Sequence, residues 1–339
     1  KHFHKKKPDH NSHFMTKENT SLNQAYDEKS EPIEFAHFSD LHLLETPEVK
    51  GMNIKQKLGL IKWRQRAEAH DFDRIEHAMN TLEELGIRHV CLTGDLVHLG
   101  TEPEIEAVAQ WLNRFRGRGF IFHLVPGNHD AMSAQAKAHA LRAWCDQTQT
   151  GDNTQEGLNF PYRHDAGSVS FIGLDSASVT PPGLACGYLH AQQIKHCEQL
   201  LTETAQAGHF RIVLLHHPLT RGIESPRRLL YGARRLRRAL QQVGAELVLH
   251  GHVHRQVRAS LKGREGPIPV FGATSLSAKG NPPNGSARFT VFRCPKIAEH
   301  GAIQYRDYHW DASARAMRPS HPFTPINCEE PKPCESDVK

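Results

Sequence analysis

Five short strings of metal-capable side chains recur along this chain, each directly after an apolar run. They are Asp40-Leu41-His42, Gly94-Asp95, Gly127-Asn128-His129-Asp130, His216-His217-Pro218 and Gly251-His252-Val253-His254. Short apolar runs bounded by turn residues read as buried strands, so each string falls where a strand ends. One such string carries little weight in a chain with 25 histidines. Five in order are a strong constraint, because loops at strand ends are where open α/β folds gather their chemistry.

The order of elements supports that class. The patterning predicts strands over 34–39, 88–93, 120–125, 168–174, 211–215, 246–249, 269–272 and 287–292. Helices are expected over 73–85, 101–116, 191–206 and 227–243, the second opened by a Thr101/Glu104 capping box. On the first, Ile75, Ala78, Met79, Leu82 and Leu85 share one face. Alternating strands and helices without an internal repeat argue for one α/β domain over 34–311. Residues 1–33 and 312–339 are polar and aperiodic, and both read as flexible tails. A natural start at Met15, with residues 1–14 as an added segment, is the expectation for the N-terminus.

The strings supply hard and borderline donors in the mixture that a pair of metal ions needs. Asp40 and His42 can turn toward one ion. Asp95 follows a glycine and is the natural bridge. Asn128 adds a neutral carbonyl oxygen, and His216, His252 and His254 complete two sets. Imidazole with carboxylate suits Mn, Fe, Ni, Co or Zn rather than Ca. Two such ions about 3.5–4 Å apart clamp the attacking and leaving oxygens of a phosphoryl group. The other histidines, such as His77, His89 and His139, read as surface or packing residues.

With these motifs the chain resembles the calcineurin-like metallophosphoesterase family, whose pattern is DxH, GD, GNHD, H and GHxH, over residues 35–295. The resemblance implies a four-layer α/β/β/α sandwich of two mixed β-sheets flanked by helices. It implies two divalent or mixed-valence ions (Mn, Fe or Zn): Asp40, His42, Asp95 and His254 hold one, and Asp95, Asn128, His216 and His252 the other. It implies in-line attack by a metal-bridging hydroxide, with His129 assisting the leaving group and Asp130 orienting His129. The run Lys57–Trp63 with Arg66 is similar to a bacterial phosphodiesterase-type branch.

Charge is unevenly placed. The formal net charge is +5, yet residues 221–238 hold seven Arg against one Glu. A second basic stretch, 50–70, interleaves Ile54, Leu58, Ile61 and Trp63 with lysines and arginines and reads as an amphipathic helix over the site. In 227–243, Leu229, Ala233, Leu236, Leu240 and Val243 form an inward stripe. These segments suit an anionic substrate or an anionic membrane surface, and a solvated helix face is the plain alternative. His217, Arg221 and Arg234 are the candidate substrate contacts.

Hydrolysis of a phosphodiester or pyrophosphate is the leading expectation, on a cyclic nucleotide, a glycerophosphodiester or another nucleotide-linked compound. The alternative is a pyrophosphatase for a lipid precursor of the UDP-2,3-diacylglucosamine type at the membrane. A phosphomonoesterase and a non-catalytic scaffold are weaker readings. Nucleic acid is not expected, since Trp63 and Tyr231 are nearly the only aromatics in the basic stretches. No run of eighteen apolar residues is present, so a spanning helix is not expected. Seven cysteines without a CxxC pair fit a reducing cytoplasm, with peripheral contact at the inner membrane under the lipid reading.

Overall fold

The computed structural model describes residues 32–43, 51–61, 63, 68–145, 159–280, 286–296 and 301–327. In chain order these hold β1 (Ile33–Phe38), α1 (Ile54–Ile61), α2 (Asp73–Glu84), β2 (His89–Leu92), α3 (Glu102–Arg116), β3 (Ile121–Leu124), α4 (Ala134–Cys145), β4 (Tyr162–Ala166) and β5 (Val169–Gly173). There follow β6 (Gly187–Tyr188), α5 (Ala191–Gln206), β7 (Phe210–Leu214), a 3-10 turn (Pro226–Arg228), β8 (Leu230–Tyr231), α6 (Ala233–Val243) and β9 (Leu247–His250). The chain then runs through β10 (Val257–Lys262), β11 (Pro267–Gly272), β12 (Arg288–Cys294), β13 (Gln304–Asp311), β14 (Ala316–Pro319) and β15 (Thr324–Pro325).

Two mixed sheets result. One runs β14-β13-β12-β1-β2-β3, with β15 also on β13, and the other β10-β11-β9-β7-β5-β4. Within the first, β1, β2 and β3 are mutually parallel, and β12 joins β1 antiparallel. Within the second, β11, β9, β7 and β5 are parallel.

Side-chain alternation makes these sheets into layers, because successive residues of a strand point to opposite faces. Phe35 of β1 and Cys91 of β2 enter a core that also holds Ile212, Leu214, Leu247 and Leu249 of the second sheet. Their neighbours Ala36, Phe38, Val90 and Leu92 pack against helices on the other side. Val213 and Val248 likewise face Ile194, Leu201, Leu236 and Leu240 of α5 and α6. Three apolar cores thus separate four layers, helix, sheet, sheet, helix, as expected. Phe35 is central to the middle core, with ring centroids 5.1 Å from both Phe171 and Phe292.

The sequence expectation fails in three places. The helix expected over 227–243 begins only at Ala233: Gly232 sits at φ +90°, where an added Cβ would lie 2.7 Å from the Leu189 carbonyl oxygen. Leu229 therefore lies outside the helix and is exposed, while Leu236 and Leu240 are buried. The tail expected from 312 is not a tail as far as residue 327, since β14 and β15 extend the first sheet and Met317 is buried in its core. Residues 328–339 and 1–31 lie outside the described residues.

The basic insert does form a helix over 54–61, and its apolar stripe faces outward. Gln56 is buried, whereas Ile54, Leu58 and Ile61 are 74%, 50% and 75% exposed. The Gln56 amide donates to the carbonyls of Leu99 and Gly100 at 3.0 and 3.1 Å, which fastens α1 to the loop after Asp95. Helix α4 and strands β4, β10 and β13 were not anticipated.

Candidate metal centre

Parallel strands β1, β2 and β3, and parallel strands β7 and β9, all deliver their motif loops from their C-terminal ends. The loops are laced together by backbone hydrogen bonds. Asp40 and His42 donate to the carbonyls of Gly94 and Asp95 at 3.0 Å each, and Gly251 donates to His216 at 3.0 Å. Gly94 is at φ +87°, and a Cβ there would lie 2.6 Å from Gly127 N and 2.8 Å from His216 Nδ1. Only glycine lets the two loops approach this closely.

Five candidate ligands are themselves left-handed. Asp40, His42, Asp95, His252 and His254 have φ of 53°, 48°, 54°, 72° and 52°. A non-glycine residue in that region costs on the order of 1–3 kcal/mol, and such strain collects where function over-determines the backbone. The loops are bent against local preference to aim these side chains inward.

The donor atoms converge in two sets around one shared carboxylate. Asp40, His42, Asp95 and His254 form one, Asp95, His216 and His252 the other, with donor atoms within 4.8 Å of each other in each set. Asn128 joins the second, its Oδ1 lying 3.2 Å from His216 Nε2. Tautomers show what these atoms await. His216 Nδ1 donates to the Thr93 carbonyl at 2.7 Å, which leaves Nε2 to face the site. Nε2 lies 3.4 Å from Asp95 Oδ2 and 3.2 Å from His252 Nδ1. His42 Nδ1 lies 3.3 Å from the Val97 carbonyl, and its Nε2 is 3.1 Å from His254 Nε2. Asp40 Oδ1 is buried without a hydrogen-bond partner, although His254 Nε2 is 2.9 Å away. Ring nitrogens packed this closely around buried carboxylates fit cations, and carbonyls fixing the far ring nitrogens are the usual support of a metal-binding histidine.

The electrostatics agree. Burial opposes ionisation of Asp40 and Asp95, yet His254 pulls Asp40, and His216 and His129 pull Asp95, below the usual carboxylate range. Burial and neighbouring imidazoles hold His42 and His252 well below 6.5, neutral and able to ligate. Burial lowers His216 too, but the Asp95 charge outweighs it and carries His216 up to about 9. Here the proton occupies the place of a cation, and a metal taken up would displace it.

Two sequence assignments change. The Asp130 carboxylate is spent on backbone amides. Its carboxylate accepts four backbone N–H bonds, from Asp95, Leu96, Val97 and Gly127 at 2.7–3.1 Å. It pins the loops that carry Asp95 and Asn128. The His129 ring is held by the His98 carbonyl, which accepts from Nδ1 at 2.5 Å. His217 is fully buried, with Nδ1 2.9 Å from Ser176 Oγ and Nε2 3.2 Å from the Ala185 carbonyl. Stacked 4.5 Å from His252, it backs the site rather than contacting substrate.

Arg221 and Arg234 are exposed. Arg228 reaches a metal-site histidine, with Nε 3.2 Å from His252 Nε2 and Nη2 donating to the His252 carbonyl at 2.5 Å. Glu224 braces it, Oε2 lying 3.2 Å from Arg228 Nε and Oε1 3.8 Å from His252 Nε2. One signal for this pair was present in the sequence: Glu224 is the sole acid in a stretch of seven arginines. The packing roles of other histidines hold: His89 stacks on His123, and His139 pairs with Glu106.

Fold and site together define a dinuclear metallohydrolase. The family profile described as calcineurin-like phosphoesterase matches residues 33–256, and the chain belongs to that family of metal-dependent phosphoester hydrolases. A search of curated proteins finds no match. Among solved structures, the chain is similar to a dimetal phosphatase from Danio rerio, at TM-score 0.52 and 14% identity over 81% of this chain and 96% of that one. It is also similar to a purple acid phosphatase, PPD1, from yellow lupin (Lupinus luteus) seeds, at TM-score 0.50 and 14% identity. That match covers 86% of this chain and 53% of the lupin one. At such identities the likeness is one of fold. No described helix is long and apolar enough to cross a membrane.

Proposed function

We propose that the protein hydrolyses a phosphodiester or pyrophosphate bond in a small, nucleotide-linked substrate, using two ions from Mn, Fe and Zn. The observation that carries this is the complete pair of donor sets sharing Asp95. Two bound ions would polarise the phosphoryl group and make a water nucleophile available near neutral pH. The protein's own residues do the rest. Nδ1 of His129 is committed to the His98 carbonyl, so Nε2 is the nitrogen that passes a proton to a departing oxygen. Asp130 keeps the Asp95 and Asn128 loops in register. A diester or pyrophosphate is favoured over a monoester by the likeness to the phosphodiesterase branch and by the additional cation, Arg228, beside His252.

The test compares bis(p-nitrophenyl) phosphate with p-nitrophenyl phosphate, on metal-stripped protein with and without Mn. Metal-dependent cleavage that favours the diester is expected. Preference for the monoester would move the protein to the phosphatases.

One observation favours a lipid-linked substrate as the second reading. Ile54, Leu58 and Ile61 make an exposed apolar stripe on α1, and α1 is tied by Lys55 to Thr180 at 2.8 Å. Under this reading the protein floats with phosphatidylglycerol vesicles but not with phosphatidylcholine ones, and Ile54→Ser with Ile61→Ser abolishes flotation. No flotation of the wild type would remove this reading.

A further inference from the structure

Two cationic side chains, Arg228 and Lys55, are fixed to one wall beside the metal-site residues. This wall is the segment 176–189 paired with 225–231, joined by β6 and β8 and by the Ala185 amide donating to the Arg227 carbonyl at 2.9 Å. It rests on the centre directly, since the Ala185 carbonyl lies on His217, whose ring packs edge-on against His216 and tilted against His252.

Two cations are fixed to this wall from different elements. Arg228 is held at His252 by two contacts and braced by Glu224, whose side chain is only 9% exposed. The Arg228 side chain is 42% exposed, so it is positioned yet open to solvent. Lys55 arrives from α1, with Nζ 2.8 Å from Thr180 Oγ1, and Thr180 Oγ1 donates to the Leu184 carbonyl at 2.7 Å. Its helix is anchored through Gln56 to the loop that follows Asp95. Burial lowers the Lys55 pKa, opposed in part by the Asp95 charge. Arg228 pairs with Glu224 through Nε at 3.2 Å, and Lys55 is bonded to the neutral Thr180 hydroxyl.

We propose that Arg228 and Lys55 form a second anion subsite on the rim of the metal centre, which takes the non-reacting phosphoryl group of a substrate with two linked phosphates. This rests on the dinuclear reading of the site and narrows it to pyrophosphate-bearing compounds. Planar guanidinium suits a phosphoryl oxygen pair, and lysine acts as a point charge. Glu224 is a positioning residue that holds the guanidinium at His252.

Calorimetric binding of ADP and AMP to Mn-loaded protein, at one ionic strength, is the experiment. The wild type is expected to bind ADP about tenfold or more tightly than AMP, the scale of one added charge-assisted contact. Arg228→Gln and Lys55→Gln should each shrink that ratio toward one, leaving AMP affinity and Mn content unchanged. Arg234→Gln, on the exposed face of α6, should alter neither. Equal affinities in the wild type would overturn the proposal, and so would an Arg228→Gln variant that weakens AMP and ADP alike, for then Arg228 acts through His252. Because binding is read and not turnover, a wild type that takes up no Mn marks failure of the metal-centre reading itself, while Mn uptake with equal nucleotide affinities marks failure of the subsite alone.

Discussion

Asp95→Ala is expected to empty both metal positions and remove measurable turnover. Asp95 is the one carboxylate in both donor sets, so its loss takes a ligand from each ion at once. The second set would keep imidazoles but no carboxylate, and the first would keep a single carboxylate, Asp40. The truncation also strands the His129 amide, which donates to Asp95 Oδ1 at 2.7 Å. A buried unpaired amide costs about 1–3 kcal/mol, a stability effect separable from metal loss. Asp95→Asn keeps an oxygen for that amide and should fold better, yet still bind metal poorly. Metal analysis with hydrolysis of bis(p-nitrophenyl) phosphate measures both effects. Full turnover in either variant would contradict the assignment of Asp95 as the bridge.

His129→Ala should keep two metals per chain and slow the reaction by about 10²–10⁴-fold, the usual scale for a lost acid catalyst. His129 lies outside the two donor sets that share Asp95, although its ring packs 4.9 Å from His42. The loss should depend on the leaving group. p-Nitrophenolate departs without much help, so the variant should be hurt less on that ester than on an alkyl ester. An equal loss on both esters would remove the acid role, and loss of metal would make His129 a ligand.

Much of this was legible in the chain. The five motifs fall at strand ends, and the donor sets are those the motifs implied, because strand patterning and ligand chemistry are both local properties. The backbone role of Asp130 escaped for the opposite reason. Its four amide partners come from residues 95–97 and 127, and only the packed loops show that its carboxylate is spent on backbone. His98 escaped attention because it acts through a carbonyl, which any residue type possesses. Which face of α1 is buried was not legible, because a periodic apolar stripe does not say so; Gln56 turns inward to donate to the carbonyls of Leu99 and Gly100. Gly232 was the missed punctuation in 227–243, since a left-handed glycine stops a helix from running back through it. The strands after residue 303 were missed because β13 is only partly buried and lacks a clean apolar run.

The central claim is that two ions act together in one site. Titrating metal-stripped protein with Mn while following hydrolysis of bis(p-nitrophenyl) phosphate tests it most directly. Activity should rise to a plateau at two equivalents per chain. A plateau at one equivalent, or full activity before any Mn is added to demonstrably metal-free protein, would contradict it.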